Sequence, residues 1–131
     1  MAFNQIKVIE NISQKKIEKL FLNENKIHKI ENLNQMSELR LLEIGSNKIK
    51  KIENLEENTK LEELWMGRNK IKKIENLEKL TNLRILSLQD NLISKLSGEI
   101  DPFERILHLG KWNSNIGKFG WFDHQIIGCF G

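Results

Sequence analysis

Several things are scarce in this 131-residue chain, and each scarcity excludes a class of protein. It has one cysteine, Cys129, so no disulfide can form within it, which suits a reducing compartment. No apolar run approaches the ~20 residues a membrane-spanning helix needs. The N-terminal stretch MAFNQIKVIENISQKK has neither a long apolar core nor a cleavage site, so no secretory signal is read there. A cytoplasmic or nuclear location is expected. Asn11-Ile12-Ser13 matches a glycosylation acceptor, but without a secretion route the match is a coincidence. Glycine and proline are nearly missing from residues 1–96, where Gly45 and Gly67 are the only glycines and there is no proline. Charge of one sign is not in excess either: the formal net charge is +3 with 30% charged residues, within the soluble globular range and no evidence for nucleic acid.

What is present is a period. The stretch LEELWMGRNKIKKIENLEKLTN, residues 61–82, is one copy of a unit that recurs every 22 residues. Its fixed positions are Leu61, Leu64, Met66, Asn69, Ile71, Ile74, Leu77 and Leu80; one period upstream they read Leu39, Leu42, Ile44, Asn47, Ile49, Ile52, Leu55 and Asn58. A further period back gives Ile17, Leu20, Leu22, Asn25, Ile27, Ile30, Leu33 and Met36, and Leu83, Leu86, Leu88, Asn91, Ile93 and Leu96 begin a fourth copy. Constant L-x-x-L-x-L-x-x-N-x-I spacing is the leucine-rich-repeat signature.

The residue types have physical reasons. Leu64 and Met66 alternate with polar neighbours, the pattern of a short strand with one buried face. After Asn69 the apolar positions come every three residues, which suits a 3₁₀-like or irregular return better than a long helix. One copy cannot bury its own apolar edge, so copies stack into a continuous core. Asn25, Asn47, Asn69 and Asn91 hold the turn leaving each strand, where an amide can satisfy backbone groups of adjacent coils. The expected fold is an α/β solenoid: a leucine-rich-repeat horseshoe with short parallel strands on the concave face and a 3₁₀ or irregular convex side.

Three regions follow. Residues 1–16 read as a degraded half-repeat or cap, because Asn4, Ile6, Ile9 and Ile12 follow the repeat spacing but one residue is lost before Ile17. Residues 17–96 hold the repeats, at 17–38, 39–60, 61–82 and, in part, 83–96. Residues 97–131 carry six of the eight glycines, the one proline, two of the three tryptophans and four of the six phenylalanines, with no period. That tail is either a cap over the last coil or a non-homologous, poorly folded extension. The second is preferred, because the tail fits no cap pattern.

Candidate function lies on the outward strand positions. The middle row reads Phe21, Glu43, Trp65, Ser87, with Lys19, Leu41, Glu63 and Ile85 on one side and Asn23, Gly45, Gly67 and Gln89 on the other. Adjacent strands lie ~4.8 Å apart, so Phe21 and Trp65 fall ~10 Å apart across Glu43. Large aromatics flanking a carboxylate, with no core to fill, suit a protein-binding hot spot. The partner-binding set is therefore Phe21, Glu43, Glu63, Trp65 and Ser87. The opposite side carries ladders of Lys26, Lys48, Lys70, of Lys29, Lys51, Lys73 and of Glu31, Glu53, Glu75. Lysine interleaved with glutamate reads as a solvated, self-neutralising surface, so a nucleic-acid partner is not expected. His28, His108, His124 and Cys129 have no metal-ligand spacing, and there is no phosphate-binding glycine loop. Neither an enzyme, a metal nor a cofactor is expected.

The string LRLLEIGSNKIKKIENLEENTKLEELWMGRNKIKKIENLEKLTNLRILSLQDNLISKL resembles the leucine-rich-repeat regulatory subunits of type 1 protein phosphatase, over residues 4–96. Their repeats share the N-K-I-x-K-I-E-N-L core found at Asn25, Asn47 and Asn69, and an aromatic–acidic–aromatic order like Phe21, Glu43, Trp65. The resemblance implies a non-catalytic protein whose concave face grips the phosphatase catalytic subunit, with assembly, inhibitory and nuclear or mitotic roles. The family array is roughly twice as long and ends in a dedicated cap, which the chain lacks. An alternative class is a structural adaptor of the cytoskeleton or axoneme, since leucine-rich-repeat light chains of dynein use similar repeats.

Overall fold

The computed structural model describes residues 5–12, 16–92 and 126–127. Strands β1 (Lys19–Phe21), β2 (Leu41–Glu43), β3 (Glu63–Trp65), β4 (Ile85–Ser87) and β5 (Ile126–Ile127) form one sheet in chain order. Every pairing is parallel, and the first four strands keep the 22-residue register, with Leu20 beside Leu42, Leu64 and Leu86 in turn. β5 is supplied from outside the repeats and pairs Ile126 with Leu86 and Ile127 with Ser87.

Alternation fixes the strand faces. Leu42 and Leu64 are fully buried between half-buried neighbours. Each chain then turns at its asparagine and returns through Ile49, Ile52 and Leu55, or Ile71, Ile74 and Leu77, all buried. The return contains no helix among the described residues, so the helical half of an α/β solenoid is replaced by irregular chain. Three-residue spacing explains this: single turns such as Met36 N–H to Leu33 O (3.0 Å) and Leu80 N–H to Leu77 O (3.0 Å) are each followed end to end by one more, Leu39 N–H to Met36 O and Leu83 N–H to Leu80 O (both 3.2 Å), without the overlapping bonds that make a helix. None of the described residues belongs to a helix long and apolar enough to cross a membrane.

Two left-handed residues recur per coil. One series is Asn11, Asn32, Asn54 and Asn76, and the other is Glu24, Ser46, Arg68 and Asp90, with φ between 55° and 62°. Asparagine tolerates this region, and the first series adds a bond to the preceding coil: Asn54 Nδ2 donates to Ile30 O and Asn76 Nδ2 to Ile52 O, both at 2.7 Å.

Buried asparagines tie the coils together. Asn47 Oδ1 accepts from Ile27 N–H at 3.0 Å, while its Nδ2 donates to Leu22 O, Ile44 O and Gly45 O. Asn69 repeats the set one coil later, taking Ile49 N–H and donating to Ile44, Met66 and Gly67. Asn91 accepts from Ile71 N–H. A further buried amide, Asn58, replaces the Met36 or Leu80 of its neighbours; it donates to Leu33 O and Met36 O, and its Oδ1 has no partner.

At the N-terminal end, residues 5–12 lie on the first full coil as the return half of another. Ile6 N–H reaches Asn25 Oδ1, Lys26 N–H reaches Ile6 O, and Ile9 is buried. Residues 93–131, apart from 126–127, are outside the described set, and with them lie both readings of the tail.

Candidate functional site on the strand face

The parallel register brings Phe21, Glu43 and Trp65 side by side on the outward face, one per strand. Phe21 is 62% exposed, whereas Glu43 and Trp65 are half-buried. Exposure falls further at Ser87, which is 2% exposed. Ser87 was expected as the fourth contact; it stands beside β5 rather than at an open edge, so it offers a partner almost no surface.

The polar groups in the row are oriented. Trp65 Nε1–H donates to Glu63 Oε1 at 3.0 Å, which pins the indole, and Glu63 Oε2 lies 3.8 Å from Arg84 Nη2. Glu63 therefore acts on the row through Trp65. Glu43 Oε1 accepts from Gly45 N–H at 2.8 Å. Its second oxygen has no bond among the described residues.

Next to this row, at the C-terminal ends of the strands, runs a trough of about 340 Å³ lined by Asn23, Glu43, Gly45, Trp65, Gly67 and Gln89 among others. The glycines make it possible. A Cβ on Gly45 would stand 3.1 Å from the Gly67 carbonyl oxygen, and one on Gly67 would stand 3.0 Å from Gln89 Cγ. The recurrence of glycine two residues after β2 and β3 was the available sequence signal for this trough. The Arg40 and Arg84 links to Glu62, at 2.7 and 3.7 Å, had no such signal.

Among the described residues, no group of three His, Cys, Asp or Glu side chains could hold a metal ion. His28 is exposed, and His108, His124 and Cys129 lie outside the described residues. The row and trough offer an aromatic face, a carboxylate and polar rims, which is equipment for recognition.

Residues 59–102 match the family model described as Leucine Rich repeats (2 copies). Among solved structures the chain is similar to an internalin C2 of Listeria monocytogenes, at 32% identity over 66% of this chain and 36% of that one, TM-score 0.58. It is similar to a further internalin of the same organism, at 34% identity over 72% and 26% of the two chains, TM-score 0.59. A leucine-rich-repeat protein of Leptospira interrogans superposes at 28% identity over 82% and 27%, TM-score 0.67. The chain thus spans between 26% and 36% of the length of these proteins. None of the curated proteins compared with it matches. Period, buried asparagine ladder, parallel sheet and structural likeness agree: this chain is a leucine-rich-repeat protein.

Proposed function

We propose that the chain is a non-catalytic protein-binding module whose concave strand face receives the catalytic subunit of a type 1 serine/threonine protein phosphatase, in the cytoplasm or nucleus. The observation that supports this reading is the row Phe21–Glu43–Trp65 in three adjacent, paired strands. Phe21 stands largely in solvent, where an aromatic ring contributes nothing to the core and is free for a partner. Trp65 is held by Glu63, so little side-chain freedom is lost when it docks. The match of this aromatic–acidic–aromatic order to the phosphatase regulators supplies the partner.

The test is capture of purified phosphatase catalytic subunit by the chain, with Trp65→Ala and Glu43→Lys beside it. Truncating an aromatic hot spot costs ~2–4 kcal/mol, a loss of roughly 30- to 1,000-fold in affinity. Equal capture by wild type and both variants sinks the assignment of the row. Absence of capture by wild type sinks the choice of partner.

A further inference from the structure

The flank of the solenoid that follows the asparagine turns carries lysines in columns. Backbone and side-chain bonds hold successive coils in a strict 22-residue register there: Lys70 N–H donates to Ile49 O, Ile49 N–H to Asn69 Oδ1, and Asn76 Nδ2 to Ile52 O. Equivalent residues are therefore nearest neighbours across the coils. Lys48 sits over Lys70, Lys50 over Lys72 and Lys51 over Lys73, and all six are exposed. Lysine and glutamate alternate along the chain, but in space like lies against like, because neighbouring coils repeat the same residue. The half-buried Glu53 and Glu75 stack on one another in the same way. The surface is thus not self-neutralising, contrary to what the sequence suggests.

The ion pairs confirm the segregation. Almost all of them fall on the other flank and its approach to the strands: Arg40 with Glu18 and Glu62, Arg84 with Glu62 and Glu63, and Lys60 with Glu38 at 2.9 Å. There the Lys60 ammonium bonded to Glu38 holds that carboxyl below its ordinary range. On the lysine flank the turn contributes one pair, Arg68 with Asp90 at 3.6 Å. None of the six column lysines has a carboxylate partner among the described residues. Stacked like charges are destabilising, and a polyanion laid along the columns relieves that repulsion.

We infer that this lysine flank binds the phosphate backbone of duplex nucleic acid, without reading its sequence. The isoleucines between the lysines, Ile49, Ile52, Ile71 and Ile74, are buried. Among the described residues the exposed apolar side chains of these columns, Val8 and Leu92, stand only at their two ends, so the six lysines between them present charge without an apolar anchor for an acidic peptide or a wedge to enter a bilayer. Among the described residues the flank has no Phe or Trp on which single-stranded bases stack, exposed His28 being its one ring. Bare ammonium groups in rows suit phosphates, each contact releasing condensed counterions. Lys26 and Lys29 extend two columns onto the preceding coil.

The experiment is fluorescence anisotropy of a labelled 20-base-pair duplex titrated with the full chain between 50 and 200 mM salt. If about four phosphates are neutralised, log K falls with log salt at a slope of ~−3.6, roughly a 150-fold loss over that range. The variant Lys50→Gln/Lys51→Gln/Lys72→Gln/Lys73→Gln is expected to bind more weakly and to show a slope near half of wild type or shallower. Lys16→Gln/Lys19→Gln/Lys60→Gln/Lys79→Gln removes the same charge from exposed sites elsewhere and is expected to retain most of the affinity and slope. Equal losses in both variants would reduce the effect to net charge and overturn the assignment. So would undetectable binding at 50 mM salt, or tighter binding to anionic vesicles, single strands or a poly-glutamate peptide than to the duplex.

Discussion

Replacing Asn69 with alanine tests the account of what holds the coils together. The side chain makes four bonds, yet their loss is unequal. Of its three acceptors, Ile44 O keeps Asn47 Nδ2 at 3.0 Å, Met66 O keeps Asn91 Nδ2 at 3.0 Å, and Gly67 O keeps Ser46 N–H at 2.8 Å. The donor Ile49 N–H has Asn69 Oδ1 alone, at 3.0 Å, and belongs to a fully buried residue. One orphaned buried donor costs ~1–3 kcal/mol, and the weakened carbonyl bonds add about 1 kcal/mol, so Asn69→Ala is expected to lose ~2–4 kcal/mol. Asn25→Ala orphans Ile6 N–H instead, in a residue 41% exposed, where water replaces the amide; its cost is about 1 kcal/mol or less. Asn69→Asp keeps an acceptor for Ile49 but turns a carboxylate onto three carbonyl oxygens, and is expected to fall below the alanine variant. Urea unfolding followed by circular dichroism ranks the three, and native-state hydrogen exchange reads the Ile49 amide itself, which should lose protection in Asn69→Ala beyond the global change. Asn25→Ala as costly as Asn69→Ala, or an Ile49 amide with undiminished protection, would refute the reasoning.

Two further expectations concern the backbone. Gly45→Ala brings a methyl to 3.1 Å from the Gly67 carbonyl, a backbone atom that cannot swing aside, and should destabilise by about 1 kcal/mol. Gly67→Ala meets the Gln89 side chain, which can rotate away, so its unfolding free energy in urea should stay within about 0.5 kcal/mol of wild type or rise slightly; the reverse order would show that the trough is not set by backbone approach. Glu24→Gly relieves a left-handed residue with φ of 60° and should stabilise by roughly 0.5–1 kcal/mol, while Lys26→Gly, two residues on, should destabilise by a similar amount; thermal melts distinguish the signs.

The strands were legible because Leu42, Leu64 and Leu86 recur at a fixed distance from an asparagine, and a buried face with a polar turn has few other solutions. The row Phe21, Glu43, Trp65 was legible from the same arithmetic. Three features were not. Ser87 looked like its neighbours in the row, but its burial goes with a sheet that continues to Ile126 and Ile127, in a stretch with no period to announce a strand. The left-handed turns at Glu24, Ser46 and Arg68 use none of the Gly, Asn or Asp that usually mark them; only Asp90, one coil on, does. The lysine columns were visible as residues but their like-on-like stacking was not, because alternation along one coil says nothing about the coil beside it. The return side was legible as well: three-residue spacing argued for an irregular return over a long helix, and the described residues hold no helix.

The half-coil at residues 5–12 has a consequence for how the array can be cut. Its return segment is placed on the next coil by bonds of Ile6 to Asn25 and Lys26 in which no strand residue takes part, so the coil is divisible and the strand is not a privileged starting point. The stack has translational symmetry, and symmetry of that kind has no preferred origin. Excising any 22 consecutive residues that begin between 25 and 68 joins two positions of equal rank, whether the cut falls in a strand, a turn or a return. The shortened chain would differ in which face residues it displays, such as losing Trp65 or Glu43, while every junction it contains is one the parent already makes.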